Sequence, residues 1–299
     1  MDNVRGIFLI IFAMAGFAIE DMFVKMLSAP MPTGQILIGL GLGSSLIFAA
    51  LVKLNRERLF APAAWGRLPL IRACTEAVAA AAFAGALALV DISTVAAVFQ
   101  AMPLVITMGA ALFLGEQVGW RRWTAILLGF IGVLLIIRPG MDGFEPNSLI
   151  ILIAVFAVAA RDLITRRIDS AVSSYVISFQ GFSSLVVAGL VMLIFTEKPL
   201  GALGVSEAQM FAGAILFGAA GYWGIVTAMR VGEASVVAPY RYTRLLFSLV
   251  IGVFVFHERP DWPTLAGAAL IIGTGLYTFL RERQLARPIE PAHPDFPAD

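Results

Sequence analysis

The chain has 299 residues, of which 60% are hydrophobic and only 14% charged, with a formal net charge of +1. Soluble domains carry roughly a quarter charged residues, so this composition excludes a soluble domain of ordinary kind. A single cysteine, Cys74, excludes an internal disulfide and any cysteine metal cluster.

In chain order, ten apolar segments are predicted to be transmembrane helices, at 4–27, 33–53, 67–90, 92–115, 121–138, 147–168, 172–196, 206–231, 233–256 and 261–281. Each is long enough to cross a hydrocarbon core of roughly 30 Å. A backbone in lipid must satisfy its own hydrogen bonds, so helices are expected; a β-barrel would show short alternating segments instead. The first segment has no small-residue cleavage pattern and reads as a span, not a removed signal. Cys74 lies in an apolar run and is expected as a small buried side chain. The stretch 54–66 reads as a surface loop or a short interfacial helix, and the proline-rich tail 288–299 as disordered.

The basic residues set an orientation. Arg5, Lys53, Arg56, Arg58, Arg67, Arg121, Arg122, Arg166, Arg167, Arg230, Arg281, Arg283 and Arg287 fall on one side, against Arg138, Lys198 and Arg259 on the other. Both termini are therefore expected in the cytoplasm.

The two ends of the chain echo each other. Glu20, Asp21 and Lys25 recur 141 positions later as Arg161, Asp162 and Arg166, and Phe99-Gln100 as Tyr240-Arg241. One position out of step, Glu116 and Trp120 recur as Glu258 and Trp262. A nearly constant offset signals duplication. The expected units are residues 1–140 and 141–287. Five spans per unit is an odd number, so the second copy must be inverted in the membrane, as in many secondary transporters. The fold expected is an all-α polytopic membrane protein of ten helices in two inverted five-helix repeats.

With a Glu closing the fourth span of each half (LFLGE at 112–116, FVFHE at 254–258) and a basic residue late in each first span (Lys25, Arg166), the chain resembles the EamA-type repeat proteins of the drug/metabolite transporter superfamily. Within it, length and character are most similar to the YddG-type amino-acid exporters of bacterial inner membranes. The resemblance implies a bacterial inner-membrane location and a cavity lined by the first, third, fourth, sixth, eighth and ninth spans. The halves depart from each other at LGE against FHE, and Pro103 and Pro239 are not at equivalent positions.

A charge at mid-bilayer costs about 2.5–3.5 kcal/mol, so it needs a reason to be there. Glu76, Gln100, Arg241 and Arg244 are candidate substrate-binding residues, with Phe99, Trp223 and Tyr240 as aromatic walls. Arg241 and Arg244, three apart, share a helix face and suit a carboxylate; Glu20 or Glu76 suits an ammonium. Glu20, Asp21, Arg161 and Asp162 are candidates for proton coupling or for ion pairs between the halves. Glu116 and Glu258 read as structural. Pro103 sits mid-span and is expected to bend the fourth helix. Glycines 39, 41 and 43 offer close helix contact.

No GxxxxGK[ST] or HExxH occurs, and His257 and His293 lie at a span end and in the tail. No catalytic set, metal, cofactor or nucleic-acid partner is expected. The reading is a monomeric secondary transporter that exports small metabolites, neutral or aromatic amino acids foremost, by alternating access. A multidrug exporter of lipophilic cations and a facilitative uniporter of the same fold are the alternatives.

Overall fold

The computed structural model describes residues 3–115, 118–141, 144–165, 167–169, 172–231 and 238–285. Among them the chain is all helical: α1 (Asn3–Leu27), α2 (Thr33–Leu54), α3 (Arg67–Leu89), α4 (Ile92–Phe99), α5 (Met102–Phe113), α6 (Trp120–Ile137), α7 (Leu149–Thr165), α8 (Ser174–Ile194), α9 (Val205–Val231), α10 (Thr243–Val255) and α11 (Trp262–Leu285). Nine stretches among the described residues are long and apolar enough to cross a membrane, with α4 and α5 counting as one. In the predicted ninth span, a 3-10 turn at Ala238–Tyr242 runs directly into α10. The side on which α1 begins is called the near face below, and the side on which it ends the far face.

The outer surface explains why these helices need a bilayer. Phe8, Leu46, Phe113, Leu134 and Phe254 are all more than half exposed. Such a belt of large apolar side chains would be costly in water and is ordinary against lipid. Cys74 is part of this belt, exposed with Ile71 and Val78 on one stripe of α3. The expectation of burial fails because helical spacing, not local hydrophobicity, decides which residues meet lipid. The 54–66 loop holds one 3-10 turn, Pro62–Trp65, pinned where Gln180 Nε2 donates to the Ala64 carbonyl at 2.6 Å.

The principal helix contacts run between the halves. α1 packs along α9, α3 along α7, α2 on α8, and α6 on α11. α10 sits against α1 and α4, and α5 against α7. Exchanging the two halves carries the α1–α9 pair onto α7–α3 and maps the α2–α8 and α6–α11 pairs onto themselves, as an inverted repeat requires. Without a hydrophobic drive in lipid, close backbone approach must supply much of the packing. A Cβ on Gly34 would lie 2.6 Å from the Gly189 carbonyl, and one on Gly132 2.8 Å from that of Gly267. Gly39 and Gly43 meet Phe211 and Ile215 of α9, whereas Gly41 meets α8 at Phe182 and Val186.

Two features position the site. The first is the break in the fourth span. Gln100 N–H bonds the Ala97 carbonyl at 3.3 Å and Ala101 N–H that of Val98 at 3.0 Å, a tight turn between α4 and α5. Pro103 stands in the first turn of α5, where its missing N–H costs nothing. The expected bend is thus a full interruption, one turn earlier than Pro103. In the second half a 3-10 turn at the equivalent place leads directly into α10, and Arg241 within it is the counterpart of Gln100.

The second is the end of α10. His257 adopts a left-handed conformation (φ 55°), and Glu258 N–H returns to the Gly252 carbonyl at 2.9 Å, so the chain folds back over the last turns of α10 and satisfies one of its free carbonyls. Gly115, φ 71°, holds the equivalent place in LGE. The two tripeptides differ in sequence, yet their middle residues share a positive φ, which glycine meets at no steric cost. Glu116 lies outside the described residues, as does Arg166.

Candidate functional site

The membrane-embedded charges form two groups. Toward the far face, Arg244 in the first turn of α10 forks onto Asp21 of α1. Its Nη2 lies 2.8 and 2.7 Å from the two carboxylate oxygens, and its Nε 3.2 Å from one of them. Three rings surround this guanidinium: Phe17 of α1 and Phe83 of α3 at 5.4 Å each, and Phe99 of α4 at 5.7 Å. Phe83 and Phe99 touch each other at 4.8 Å between centroids. These distances are within cation–π range. Glu20, next to Asp21, faces elsewhere: its carboxyl group rests on α9 at Gly218. Adjacent residues on a helix point about 100° apart, which separates their roles.

Toward the near face, Glu76 of α3 bridges two arginines. It meets Arg72 one turn back at 2.8 Å and Arg161 of α7 at 2.9 Å. Arg161 also holds its neighbour Asp162 at 2.8 Å. Arg72 reaches on to the Ile177 carbonyl at 3.2 Å and Thr165 Oγ1 at 3.4 Å. Every member has a partner, which is the condition for a buried polar network to be tolerated.

Arg241 differs. Its Nε is buried with no hydrogen-bond partner, and Asp162 and Arg161 are the charges that act on it. Arg241 and Arg244 therefore do not act as a pair on one face. Arg244 is committed to Asp21, whereas Arg241, in the 3-10 turn before it, leaves its Nε unpaired. Gln100 is buried at the end of α4, at the break before α5.

The aromatic expectations divide. Phe99 joins the ring cluster around Arg244. Tyr240 instead packs beside the Ile10, Ala13, Met14 and Ala228 cluster of α1 and α9. Trp223 is 59% exposed and shares an exposed stripe of α9 with Leu216, so it is no wall of an interior site. Phe17, Phe83 and Arg72 were not expected as participants. Phe17 lies one turn before Asp21, a spacing that could have marked it.

At the far face the ends of the helices are tied together. Glu258 accepts from Ile92 N–H at 2.7 Å, Ser93 N–H at 3.0 Å and Ser93 Oγ at 2.6 Å, so one half's carboxylate caps the other half's α4. Lys25 stands 3.8 Å from Glu258 and donates to the Val90 carbonyl at 2.5 Å and to that of Leu87 at 3.2 Å. Gln35 and Gly201 exchange two hydrogen bonds of 2.8 Å. Lys198 donates to the carbonyls of Ser28 and Ala29.

The structural likeness to a solved protein, at a TM-score of 0.59 over 92% of this chain and 99% of that one, comes with only 18% identity and concerns the fold alone. Among curated relatives, an S-adenosylmethionine uptake transporter of Rickettsia felis is 28% identical over 66% of each chain. A riboflavin transporter of Vibrio cholerae is 32% identical over 59% of this chain and 58% of its own. A pseudopaline exporter, CntI, of Pseudomonas aeruginosa is 22% identical over 89% of this chain and 93% of its own. The chain thus spans just under two thirds of the length of the first of these relatives. The profile of the EamA-like transporter family matches residues 4–138 and again 147–280, and with two matched halves whose helices interleave, the chain belongs to the EamA-like transporter family.

Proposed function

We propose that the protein is an alternating-access carrier of small metabolites with an amino-acid headgroup, a carboxylate and an ammonium on one carbon. Its repeats, residues 1–140 and 141–287, act as the two moving units of a monomer in a bacterial inner membrane, with both termini cytoplasmic. The observation that carries this is Arg241, a cation in the 3-10 turn that leads into α10, whose Nε is buried without a partner. An unsatisfied buried donor is costly, and a substrate carboxylate would relieve that cost. Discontinuous helices near the midplane are where secondary transporters hold such groups. Glu76, Gln100 and Phe99 complete the site from the first half. The far-face ties through Glu258 and Lys25 fit a state closed on that side. S-adenosylmethionine, named for the Rickettsia relative, carries an amino-acid headgroup, so uptake and export of such solutes both fall within this reading.

Counterflow in proteoliposomes tests it. Vesicles loaded with unlabelled phenylalanine, leucine, S-adenosylmethionine, riboflavin or tetraphenylphosphonium would be offered the labelled counterpart. Saturable exchange of the solutes with an amino-acid headgroup, lost in Arg241→Gln, is the expected result. Exchange of riboflavin alone, or exchange of headgroup solutes that survives Arg241→Gln, overturns it. A lipophilic-cation carrier is the second reading. It is favoured by Glu20, a membrane carboxylate that rests on Gly218, and tetraphenylphosphonium exchange in the same assay would establish it.

A further inference from the structure

The ring cluster around Arg244 has an unequal parentage. Asp21 and Phe17 come from α1, Phe83 from α3 and Phe99 from α4, all in the first half. The guanidinium they enclose comes from α10, in the second half. One carboxylate and three aromatic faces around a delocalised cation is how proteins recognise an organic cation, the rings contributing through their quadrupoles and the carboxylate through its charge. Asp21 is buried, and the arginine side chain is only 19% exposed, so the cluster already holds its cation away from lipid.

We infer that Asp21, Phe17, Phe83 and Phe99 form an onium-binding box, for a sulfonium or quaternary ammonium group of the substrate, and that Arg244 is its tethered stand-in when no such substrate is bound. The inference rests on the carrier reading above and assigns the cationic end of the substrate that Arg241 would hold by its carboxylate. It also couples binding to movement. With Arg244 in the box, the second half is fastened to the first through Asp21. A substrate cation that takes its place keeps the charge balance of the box and frees α10, so its binding unfastens the halves. The carrier need not then leave a bare carboxylate in the membrane, which would be costly at either stage.

The test is ligand binding to the purified full-length protein in nanodiscs. Three probes are compared: S-adenosylmethionine, its demethylated thioether, which keeps the amino-acid headgroup but has an uncharged sulfur, and tetraethylammonium. Wild type should bind the sulfonium at least about fivefold more tightly than the thioether, the range expected for desolvated cation–π contact. Arg244→Gln should strengthen sulfonium and tetraethylammonium binding by about tenfold, because the internal competitor is gone, and leave the thioether unchanged. Asp21→Asn should abolish the sulfonium preference. Phe83→Leu keeps the apolar volume and removes one ring face; it should lower the preference a few-fold, and it serves if Arg244→Gln does not fold. Equal binding of sulfonium and thioether by wild type overturns the inference, as does an Arg244→Gln variant that weakens both alike, which would make Arg244 an anchor. Counterflow of phenylalanine by a protein that shows no sulfonium preference sinks the box and leaves the carrier reading standing. Absence of any counterflow removes the carrier reading itself.

Discussion

The α1–α9 and α3–α7 interfaces occupy the same place in the two repeats, yet they are built from different chemistry. In α1–α9 the backbones nearly touch. A Cβ on Gly16 would meet the Phe217 carbonyl at 3.0 Å, one on Gly221 the Ala13 carbonyl at 3.1 Å, and one on Gly224 the Leu9 carbonyl at 3.2 Å. In α3–α7, charged side chains span the gap, with Glu76 between Arg72 and Arg161. A glycine seam holds by dispersion at close range and has few polar groups to strand when it slides. A charge network is directional and high in stakes, because losing one member strands the rest. The duplicated architecture thus pairs a smooth seam with a toothed one, and the halves need not move alike.

Four measurements would break or sharpen this contrast, in order of expected effect. Glu76→Ala leaves Arg72 and Arg161 without their shared carboxylate and should cost about 3–5 kcal/mol, the penalty for breaking a buried pair. It would be read as a lower melting temperature in detergent. The double variant Glu76→Leu with Arg161→Met should lose less than half as much, and equal losses would mean that the network adds no directional penalty. Gly221→Val pushes a side chain against the Ala13 carbonyl and should cost about 1–3 kcal/mol by overpacking, with slower counterflow. A variant that melts and exchanges like wild type would show that the seam is not tight.

Glu258→Gln keeps an acceptor at the start of α4 but loses the charge that answers the helix terminus and Lys25. A loss of about 0.5–2 kcal/mol in far-face closure is expected, the usual worth of a cap. It should raise the labelling rate of a thiol introduced by Asp91→Cys in a Cys74→Ser background. The smallest effect belongs to Asp261, which caps α11 through Thr264 N–H at 3.0 Å and pairs with Arg138 at 2.6 Å. Partial burial would raise its pKa, but the hydrogen bonds from Thr264 and Arg138 outweigh this and hold it below the ordinary aspartate range. Its contribution is therefore full above about pH 4, the unfolded value, and is lost as pH falls through the lowered one. Asp261→Asn should melt slightly below wild type at pH 7, by about 0.2–1 kcal/mol given its exposure, and the difference should vanish toward pH 3.

Much of the fold was legible because lipid imposes one rule on every span, that its backbone bond to itself. Most segment boundaries, the interruption near Pro103 and the duplication could be read from the order of apolar and charged residues. The LGE and FHE tripeptides read as a departure between the halves, yet Gly115 and His257 have the same left-handed backbone. Sequence letters alone do not display φ. The site was legible only as a set of residue types. Asp21, Glu76, Arg161, Arg241 and Arg244 stood out because each is costly in a membrane.

Which of them meet was decided by the tertiary structure. Arg241 and Arg244 separate because Asp21 of α1 takes Arg244 and leaves Arg241 Nε without a partner. Trp223 faces outward, while Phe17 and Phe83 face the site. The sequence by itself determined the solvent, the spans and the inverted repeat, since these follow from composition and spacing along one chain. The pairing of Asp21 with Arg244, 223 positions away, the bridging of Glu76 to Arg161 and the cap of Glu258 on α4 are contacts between the two halves. Their partners are set by helix rotation and packing, which no single span encodes.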